Sequence, residues 1–280
     1  MNDSIRLQKA FRNAPSLPLS EKSRYVLFSD CHRGNGSAND NFLKNQHLYL
    51  AALKHYYKSG FTYIELGDGD ELWENRSMEQ IADVHNGVFR LLSKFYAEKR
   101  LYMLYGNHDI VKKSAPKTDS CPFPGITFYA GLILRDTEQE KDIYLTHGHQ
   151  TDFLNSSLWR LSRFLVRYLW GPAELLGFRD PTSAARNNKK KKKTEEKLTE
   201  WAKKEQHILI TGHTHRPMIG TADAPYCNTG SCVHPHGITC IEIEHRCMTL
   251  VKWTLDTGSD RSLFVAREVL ADTICIGDYA

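Results

Sequence analysis

Short apolar runs alternate with longer amphipathic segments over most of the chain. Runs typical of buried strands occupy residues 24–29, 63–66, 101–104, 143–146 and 208–211. Apolar residues recur at helical spacing over residues 42–58 and 79–99. Strands and helices that alternate at this spacing predict an α/β protein built on layered sheets.

The remaining segments define the predicted domain boundaries. Residues 1–24 predict a short helix and a linker, because prolines interrupt the helical pattern before the first strand. The main domain would then run over residues 25–280, with a β-hairpin predicted at 237–256. Residues 152–202 contain no apolar β-run and predict a helical insertion, or cap, within that domain.

Polar residues and a glycine mark the end of each of the five predicted strands. The motifs are Asp30-Cys31-His32, Gly67-Asp68, Gly106-Asn107-His108-Asp109, His147-Gly148-His149 and Gly212-His213-Thr214-His215. Each motif alone is commonly a turn or a helix cap. Open α/β sheets, however, bind ligands at the carboxyl ends of their strands, so five such motifs together predict a metal site. Mixed carboxylate, amide and imidazole ligands favour Mn, Fe, Zn or Co over Ca or Mg.

Composition narrows the class of protein. The 280 residues are 41% hydrophobic and 25% charged, as expected of a globular protein, with a mild net charge of +4. The 7 cysteines are odd in number and lack a Cys-x-x-Cys pair, which predicts reduced thiols, with Cys31 packed in the core. The N-terminus lacks the apolar core of a signal peptide, and no run reaches the roughly 18 apolar residues of a membrane span. These features predict a cytoplasmic protein, with peripheral contact at the inner membrane surface left open.

The order of the five motifs resembles the calcineurin-like metallophosphoesterase superfamily. The resemblance implies a four-layer α-β-β-α sandwich in which metal-bound hydroxide hydrolyses a phosphodiester, phosphomonoester or pyrophosphate bond. It implies two divalent ions, manganese first, held by Asp30, His32 and His215 on one side, Asn107, His147 and His213 on the other, and Asp68 between them. It also implies that His108 protonates the leaving group and that Asp109 orients His108.

Several neighbouring residues have more than one possible role. His149 could replace His147 as a ligand or lie behind it, and Asp70 could compete with Glu71 for a position that the family fills with an acid. Arg33 is a candidate phosphate contact, with a surface salt bridge as the alternative. Asn228 and the following Gly230-Ser231 resemble the loop that closes the floor of the site, although a simple turn is equally compatible.

One departure from the superfamily bears on the substrate. Its serine/threonine protein phosphatases carry an arginine shortly after the bridging aspartate. Residues 67–74 here contain no arginine, which weighs against a phosphoprotein substrate.

The predicted insertion begins with an amphipathic helix and ends near a run of lysines. On that helix Leu154, Leu158, Leu161, Leu165 and Tyr168 share one face, opposite Arg160, Arg163 and Arg167. The run Lys189–Lys193 follows. The helix could simply pack on the body, or it could bind an acyl chain or a membrane surface, where the lysines would meet anionic lipid. The lysines could instead contact nucleic acid.

The position of this insertion favours one branch of the superfamily. A helical, apolar and basic cap before Gly-His-Thr-His is similar in architecture to the UDP-2,3-diacylglucosamine pyrophosphatases. We therefore expect a small-molecule or lipid-linked phosphate as the substrate. Two alternatives are a nucleotide or nucleic-acid phosphodiesterase and a binding module whose metal site is vestigial.

Overall fold

The fold has two β-sheets packed face to face between two layers of helices, in a computed structural model. The structure describes residues 3–37, 40–114, 122–138, 141–152, 158–170 and 187–279. The predicted four-layer α-β-β-α sandwich is confirmed.

The strands form one larger and one smaller sheet. The larger sheet has the order β12-β11-β10-β2-β3-β4-β5, with β13 paired to β11, and the smaller has the order β1-β6-β7-β8-β9. The strands are β1 Ser16–Leu19, β2 Arg24–Phe28, β3 Thr62–Leu66, β4 Leu101–Leu104, β5 Phe128–Tyr129, β6 Gly131–Asp136, β7 Ile143–Thr146, β8 Ile208–Thr211, β9 Tyr226–Asn228, β10 Ile238–Glu244, β11 Cys247–Thr257, β12 Leu263–Val269 and β13 Ile274–Cys275. The helices are α1 Asp3–Phe11, α2 Gln46–Lys58, α3 Met78–Val84, α4 Asn86–Ala97, α5 Trp159–Leu165 and α6 Asn188–Glu205.

Alternation along the strands divides the core into three parts. Leu27 and Ile64 point between the sheets, where they belong to the same buried cluster as Ile210 of the smaller sheet. Their neighbours Val26 and Tyr63 point outward, into the cluster formed with α2 and α4. On the other side, α1 and α6 cover the smaller sheet through an apolar cluster of Leu7, Leu198, Trp201, Ala202, Leu209 and Tyr226.

The strands that carry the polar motifs run parallel within each sheet. In the larger sheet β2, β3 and β4 are parallel neighbours, and in the smaller sheet β7 and β8 are. Their carboxyl ends therefore lie along one edge of each sheet, as expected for a ligand site in an α/β fold.

Two segments differ from the sequence expectation. The predicted N-terminal linker contains β1, which lies at the edge of the smaller sheet, where Pro18 is tolerated in a strand. The predicted helix at 79–99 is two helices separated at His85. The imidazole of His85 is fully buried and bonds the carboxylate of Asp40 at 2.9 Å, so a tertiary contact breaks the helix.

The expectation of reduced thiols is wrong for one pair, because Cys247 and Cys275 form a disulfide. They stand directly opposite each other where β13 pairs with β11, a register that sequence spacing does not reveal. Cys31, Cys227, Cys232 and Cys240 are free and buried, and Cys31 packs in the core as predicted.

The described part of the insertion consists of α5, a π-helical turn at Val166–Trp170 and α6. Residues 153–157 and 171–186 of the predicted cap lie outside the described residues, Leu154 among them. The lysine run forms the first turns of α6, whose later residues Leu198 and Trp201 pack on the smaller sheet. Within the described ranges, every helix is too short or too polar to cross a bilayer.

Candidate metal centre

The strand tips are held in an unusual backbone conformation. Five residues of the motifs have the left-handed φ that L-residues rarely adopt: Asp30 (51°), His32 (47°), Asp68 (50°), His213 (68°) and His215 (55°). Each costs on the order of 1 kcal/mol or more, and such strain persists where surrounding structure enforces it, typically at functional sites. Backbone bonds supply the enforcement, since Asp30 donates to the carbonyl of Gly67 at 3.1 Å and His32 to that of Asp68 at 2.9 Å.

A first cluster joins the tips of β2 and β8. The Nε2 atom of His215 lies 3.1 Å from Oδ1 of Asp30, and Nε2 of His32 lies 3.4 Å from Nε2 of His215. These three side chains could hold one ion. Burial raises the pKa of Asp30, but His215, His32 and His147 together outweigh burial and hold that pKa well below its usual value, so the carboxylate is anionic.

A second cluster joins β3, β7 and β8, and it is more deeply buried. Asp68, His147 and His213 could hold an ion, and their exposed fractions are 2%, 0% and 5%. Oδ2 of Asp68 lies 3.1 Å from Nε2 of His147. The other ring nitrogen of His147 donates to the carbonyl of Leu66 at 2.9 Å, which leaves Nε2 to face the site.

Asp68 lies between the two clusters. Its Oδ2 atom is 3.1 Å from His147 in the second cluster and 3.9 Å from Nε2 of His32 in the first. Its other oxygen accepts a bond from the backbone N–H of His108 at 2.8 Å. The carboxylate is therefore placed where a bridging ligand would lie.

Buried ligand atoms that lack a hydrogen-bond partner test whether these residues fit a metal ion. Within the described parts of the chain, Asn107 Oδ1 and His213 Nε2 are buried without a hydrogen-bond partner. A buried polar atom without a partner costs about 1–3 kcal/mol, so such atoms usually serve a ligand or ion. Both come from residues that the sequence predicts as ligands of the second ion, and the ligand set fits a transition metal.

The protonation of the histidines also suits metal ligands. Burial, reinforced by His147, lowers the pKa of His213 well below its usual value, so this imidazole is neutral. Burial lowers the pKa of His147 too, but the carboxylate of Asp68, with those of Asp30 and Asp109, outweighs burial and raises the pKa to about 9. A cation bound there would displace the proton of His147, since imidazole ligates as the neutral form.

His108 contacts a different acid from the one predicted. Its Nδ1 atom lies 2.7 Å from Oε2 of Glu71, and that oxygen also lies 2.9 Å from Nδ1 of His32. Glu71 therefore occupies the position beside His108 that the sequence analysis expects for Asp109. Burial lowers the pKa of His108, but the carboxylates of Glu71 and Asp68 together outweigh burial and raise the pKa above its usual value. The side chain of His108 keeps 23% exposure, more than that of His32 or His215.

Asp109 is bound inside the protein instead. Its carboxylate accepts the backbone N–H groups of Gly106 at 2.7 Å and Gly69 at 3.2 Å, and the ammonium of Lys112 at 2.7 Å. Asp109 thus ties the loop after β4 to the loop after β3, and it holds Asp68 and Asn107 at a fixed spacing.

Arg33 is not a phosphate contact, and it is not a surface salt bridge. Its side chain is fully buried and forms a bidentate pair with Glu65 at 2.9 and 3.0 Å. Its Nε atom donates to Asp70 at 2.6 Å, and Lys112 contacts the other oxygen of Asp70. Asp70 is thereby committed to this buried network, and Glu71 alone reaches the site.

The remaining candidates lie behind the site. His149 is 3% exposed, and burial with the nearby His147 lowers its pKa to about 3. Asn228 is fully buried, and its side chain donates to the carbonyl of Gly212 at 2.6 Å, which stabilises the loop that carries His213. Ser231 donates to the carbonyl of Asp30 at 3.3 Å.

Two contributors had no clear signal in the sequence. Glu195, in α6, is buried and accepts the hydroxyl of Thr214 at 3.0 Å, between the two histidines of the last motif. The indole of Trp73 stacks on His108 with ring centres 4.4 Å apart. Proximity to Glu71 in the sequence is the only hint for Trp73, and nothing marks Glu195 because its partner lies 19 residues away.

The fold and the two clusters define an α/β sandwich with candidate sites for two divalent ions at its strand tips. The family of calcineurin-like phosphoesterases matches residues 23–217, well over half of the chain. The protein therefore belongs to the calcineurin-like phosphoesterase family.

Two solved structures are similar at low identity. Vps29 from Chaetomium thermophilum is 13% identical, with a TM-score of 0.43, and covers 91% of this chain and 98% of its own. A mutant cold-active protein tyrosine phosphatase is 14% identical, with a TM-score of 0.43, and covers 92% of this chain and 83% of its own. No curated protein matches the chain significantly.

Proposed function

We propose that the protein hydrolyses a phosphate ester or pyrophosphate with two divalent metal ions. The observation that carries the proposal is the buried cluster of Asp68, His147 and His213, in which Nε2 of His213 lacks a hydrogen-bond partner. Manganese is the ion we propose first, with iron, zinc or cobalt as alternatives. Ions bound there would polarise the phosphoryl oxygens and lower the pKa of the attacking water.

Burial indicates the side from which the substrate would approach. His32 and His215 of the first cluster keep 14% and 16% exposure, and His108 keeps 23%, whereas the second cluster is closed. A phosphoryl group would therefore enter over the first cluster, beside His108. Glu71 favours the protonated form of His108, which can then give its proton to the leaving oxygen.

The direct test uses manganese-loaded protein with bis-p-nitrophenyl phosphate. We expect hydrolysis that stops after chelation, with metal removal verified by mass spectrometry, and that returns when manganese is added. Turnover that survives complete removal of metal would refute the proposal. Stoichiometric metal binding without hydrolysis of any phosphate ester would favour a binding module instead.

Replacing His108 should separate chemistry from metal binding. We expect His108→Ala to keep its metal, because the imidazole is not among the proposed ligands. The rate should fall by about 10²–10⁴-fold on esters with poor leaving groups, the usual contribution of a general acid. The loss should be smaller for p-nitrophenolate, which leaves without protonation. Equal losses on both kinds of ester would contradict the role of proton donor.

The substrate we propose first is a nucleotide-lipid pyrophosphate such as UDP-2,3-diacylglucosamine. Support comes from α5, where Leu161 and Phe164 are 51% and 58% exposed. The turn after α5 contacts the segment Leu72–Asn75 beside His108. Apolar surface next to a phosphate site suits an acyl chain, and it would also suit peripheral contact with a membrane.

Phosphorus NMR of the manganese-loaded protein with this substrate tests the proposal. We expect UMP and the lipid monophosphate as products. If bis-p-nitrophenyl phosphate is hydrolysed and the nucleotide-lipid is not, the chemistry holds and this substrate is excluded.

A nucleic-acid phosphodiesterase is the second candidate, supported by the position of the lysine run. α6 begins with Lys189–Lys193, and its Glu195 is bonded to Thr214 of the ligand loop. If this candidate holds, replacing the exposed Lys189, Lys192 and Lys193 with alanine should weaken binding to single strands. The salt dependence should flatten by roughly 0.7 per lost phosphate contact in the log–log slope. Unchanged binding and slope in the triple variant would exclude it.

A further inference from the structure

Within the described insertion, Arg167 is the one residue whose side chain forms several hydrogen bonds to the loop that carries Glu71 and Trp73. It lies in the π-helical turn after α5. Its Nε atom donates to the carbonyl of Trp73 at 2.7 Å, and its Nη2 atom donates to those of Leu72 at 2.9 Å and Asn75 at 3.1 Å. A guanidinium is planar and presents donors in a fixed fork, so three bonds to one short segment fix that segment's orientation.

The loop to which Arg167 binds contacts His108 through two of its side chains. Glu71, which directly precedes the carbonyls bound by Arg167, has an oxygen 2.7 Å from Nδ1 of His108. Trp73, within it, stacks on the face of the same imidazole at an interplanar angle of 24° and is 2% exposed. The backbone N–H of Trp73 donates back to the carboxylate of Glu71 at 3.2 Å, which links the acid to the residue that carries the indole.

A second contact joins the insertion to the same loop. Arg76 donates to the hydroxyl of Tyr168 at 2.6 Å, one residue after Arg167. The loop that carries Glu71 and Trp73 is thus held by the insertion on one side and contacts His108 on the other.

We propose that Arg167 is a positioning residue, through which the insertion sets the orientation of His108. The inference rests on the proposed function, because it concerns the proton donor of that reaction. Displacing a reacting group by about 1 Å can cost on the order of 100-fold in rate, so a contact that fixes the loop should be visible in kcat. Through Arg167, the insertion positions a catalytic residue in addition to lying beside the active site.

The kinetic test compares two esters in Arg167→Met. Diphenyl phosphate has a poor leaving group that needs the proton, whereas bis-p-nitrophenyl phosphate does not. We expect a loss of about 10–100-fold in kcat on diphenyl phosphate, the range for residues that orient a catalytic group, with little change in KM. The loss on bis-p-nitrophenyl phosphate should be only a few-fold. Arg167→Lys should recover part of the rate, because an ammonium can still donate to the carbonyls.

A double variant asks whether Arg167 acts through His108. In the His108→Ala background, Arg167→Met should cause no further loss, since residues that act on one step are non-additive. The matched control is Arg160→Met on α5, because Arg160 is exposed and stacks only on its neighbour Trp159 among the described contacts. This control should retain wild-type rates and metal content.

A readout independent of activity uses proton NMR of the zinc-loaded or metal-free protein. The stacked indole should shift the ring protons of His108 upfield, and those signals are identified by their loss in His108→Ala. We expect Arg167→Met to reduce this upfield shift, as Trp73→Phe does. The melting temperature of the control, Arg160→Met, should be unchanged.

The outcomes separate this inference from the proposed function. If the wild-type protein hydrolyses both esters and Arg167→Met behaves like Arg160→Met in rate and NMR shift, the inference is overturned and the function stands. If no phosphate ester is hydrolysed, the function fails, and the NMR comparison still decides whether Arg167 orients His108.

Discussion

Asp68→Ala should abolish hydrolysis and remove at least one of the two metal ions. Asp68 is the carboxylate that lies near both clusters, 3.1 Å from His147 and 3.9 Å from His32. Even partners behind a metal ligand cost about 10–100-fold when replaced, so loss of the bridging ligand should exceed that range. The measurement is metal content by mass spectrometry together with kcat on bis-p-nitrophenyl phosphate.

The same substitution changes the charge of the metal-free site. Burial disfavours the protonated form of His147, and Asp68 is the largest of the charges that offset burial. Without Asp68, the pKa of His147 should fall in the metal-free protein, which a titration of its ring carbon shifts would report. Asp256→Ala, an exposed aspartate on β11, is the matched control and should keep both ions. An Asp68→Ala protein with two ions and wild-type turnover would disprove the assignment.

Arg33→Met should destabilise the protein by about 3–5 kcal/mol, the usual result of removing one partner from a buried ion pair. The guanidinium is fully buried between Glu65 and Asp70, and methionine fills much of its volume without its charge. Glu65 would then be a buried carboxylate without its bidentate partner. Urea unfolding of the metal-free protein measures the loss of free energy directly.

The control separates burial from charge. Arg24 pairs with Glu244 at the surface at 2.6 Å, where both side chains are more than a third exposed. Exposed pairs contribute about 0–1 kcal/mol, so Arg24→Met should be nearly neutral. Arg33→Lys should fall between the two, because lysine keeps the charge and loses the fork. A change below about 1 kcal/mol for Arg33→Met would show that the buried network does not stabilise the fold.

The sequence alone does not reveal the partners of Arg33. An arginine beside a predicted ligand suggests a phosphate contact, but the carboxylates that bind Arg33 are distant in sequence: Glu65 on β3 and Asp70 after it. The partners of Asp109 are hidden from the sequence for a related reason. The motif places it next to His108, yet the backbone directs its carboxylate toward Gly106, Gly69 and Lys112.

The disulfide and the helix break have the same origin. Cys247 and Cys275 are 28 residues apart, and only the pairing of β13 with β11 brings them together. Similarly, the periodic pattern of residues 79–99 continues through His85, whereas a contact with Asp40 stops the helix there. A local sequence pattern cannot reveal these two contacts, because each joins segments that only folding brings together.

The sequence by itself determined the α/β class, the approximate bounds of the five strands that carry the polar motifs, and the position of each motif at a strand tip. These follow from local rules, since strand runs are short and apolar and parallel strands gather their carboxyl ends at one edge. Only the tertiary structure decided which side chains share a cluster and that Glu71 rather than Asp109 contacts His108. It also decided that Arg167 binds the loop that carries Glu71. Such choices depend on distances of a few ångströms between segments far apart in the chain, and the packing of two sheets and their helices sets those distances.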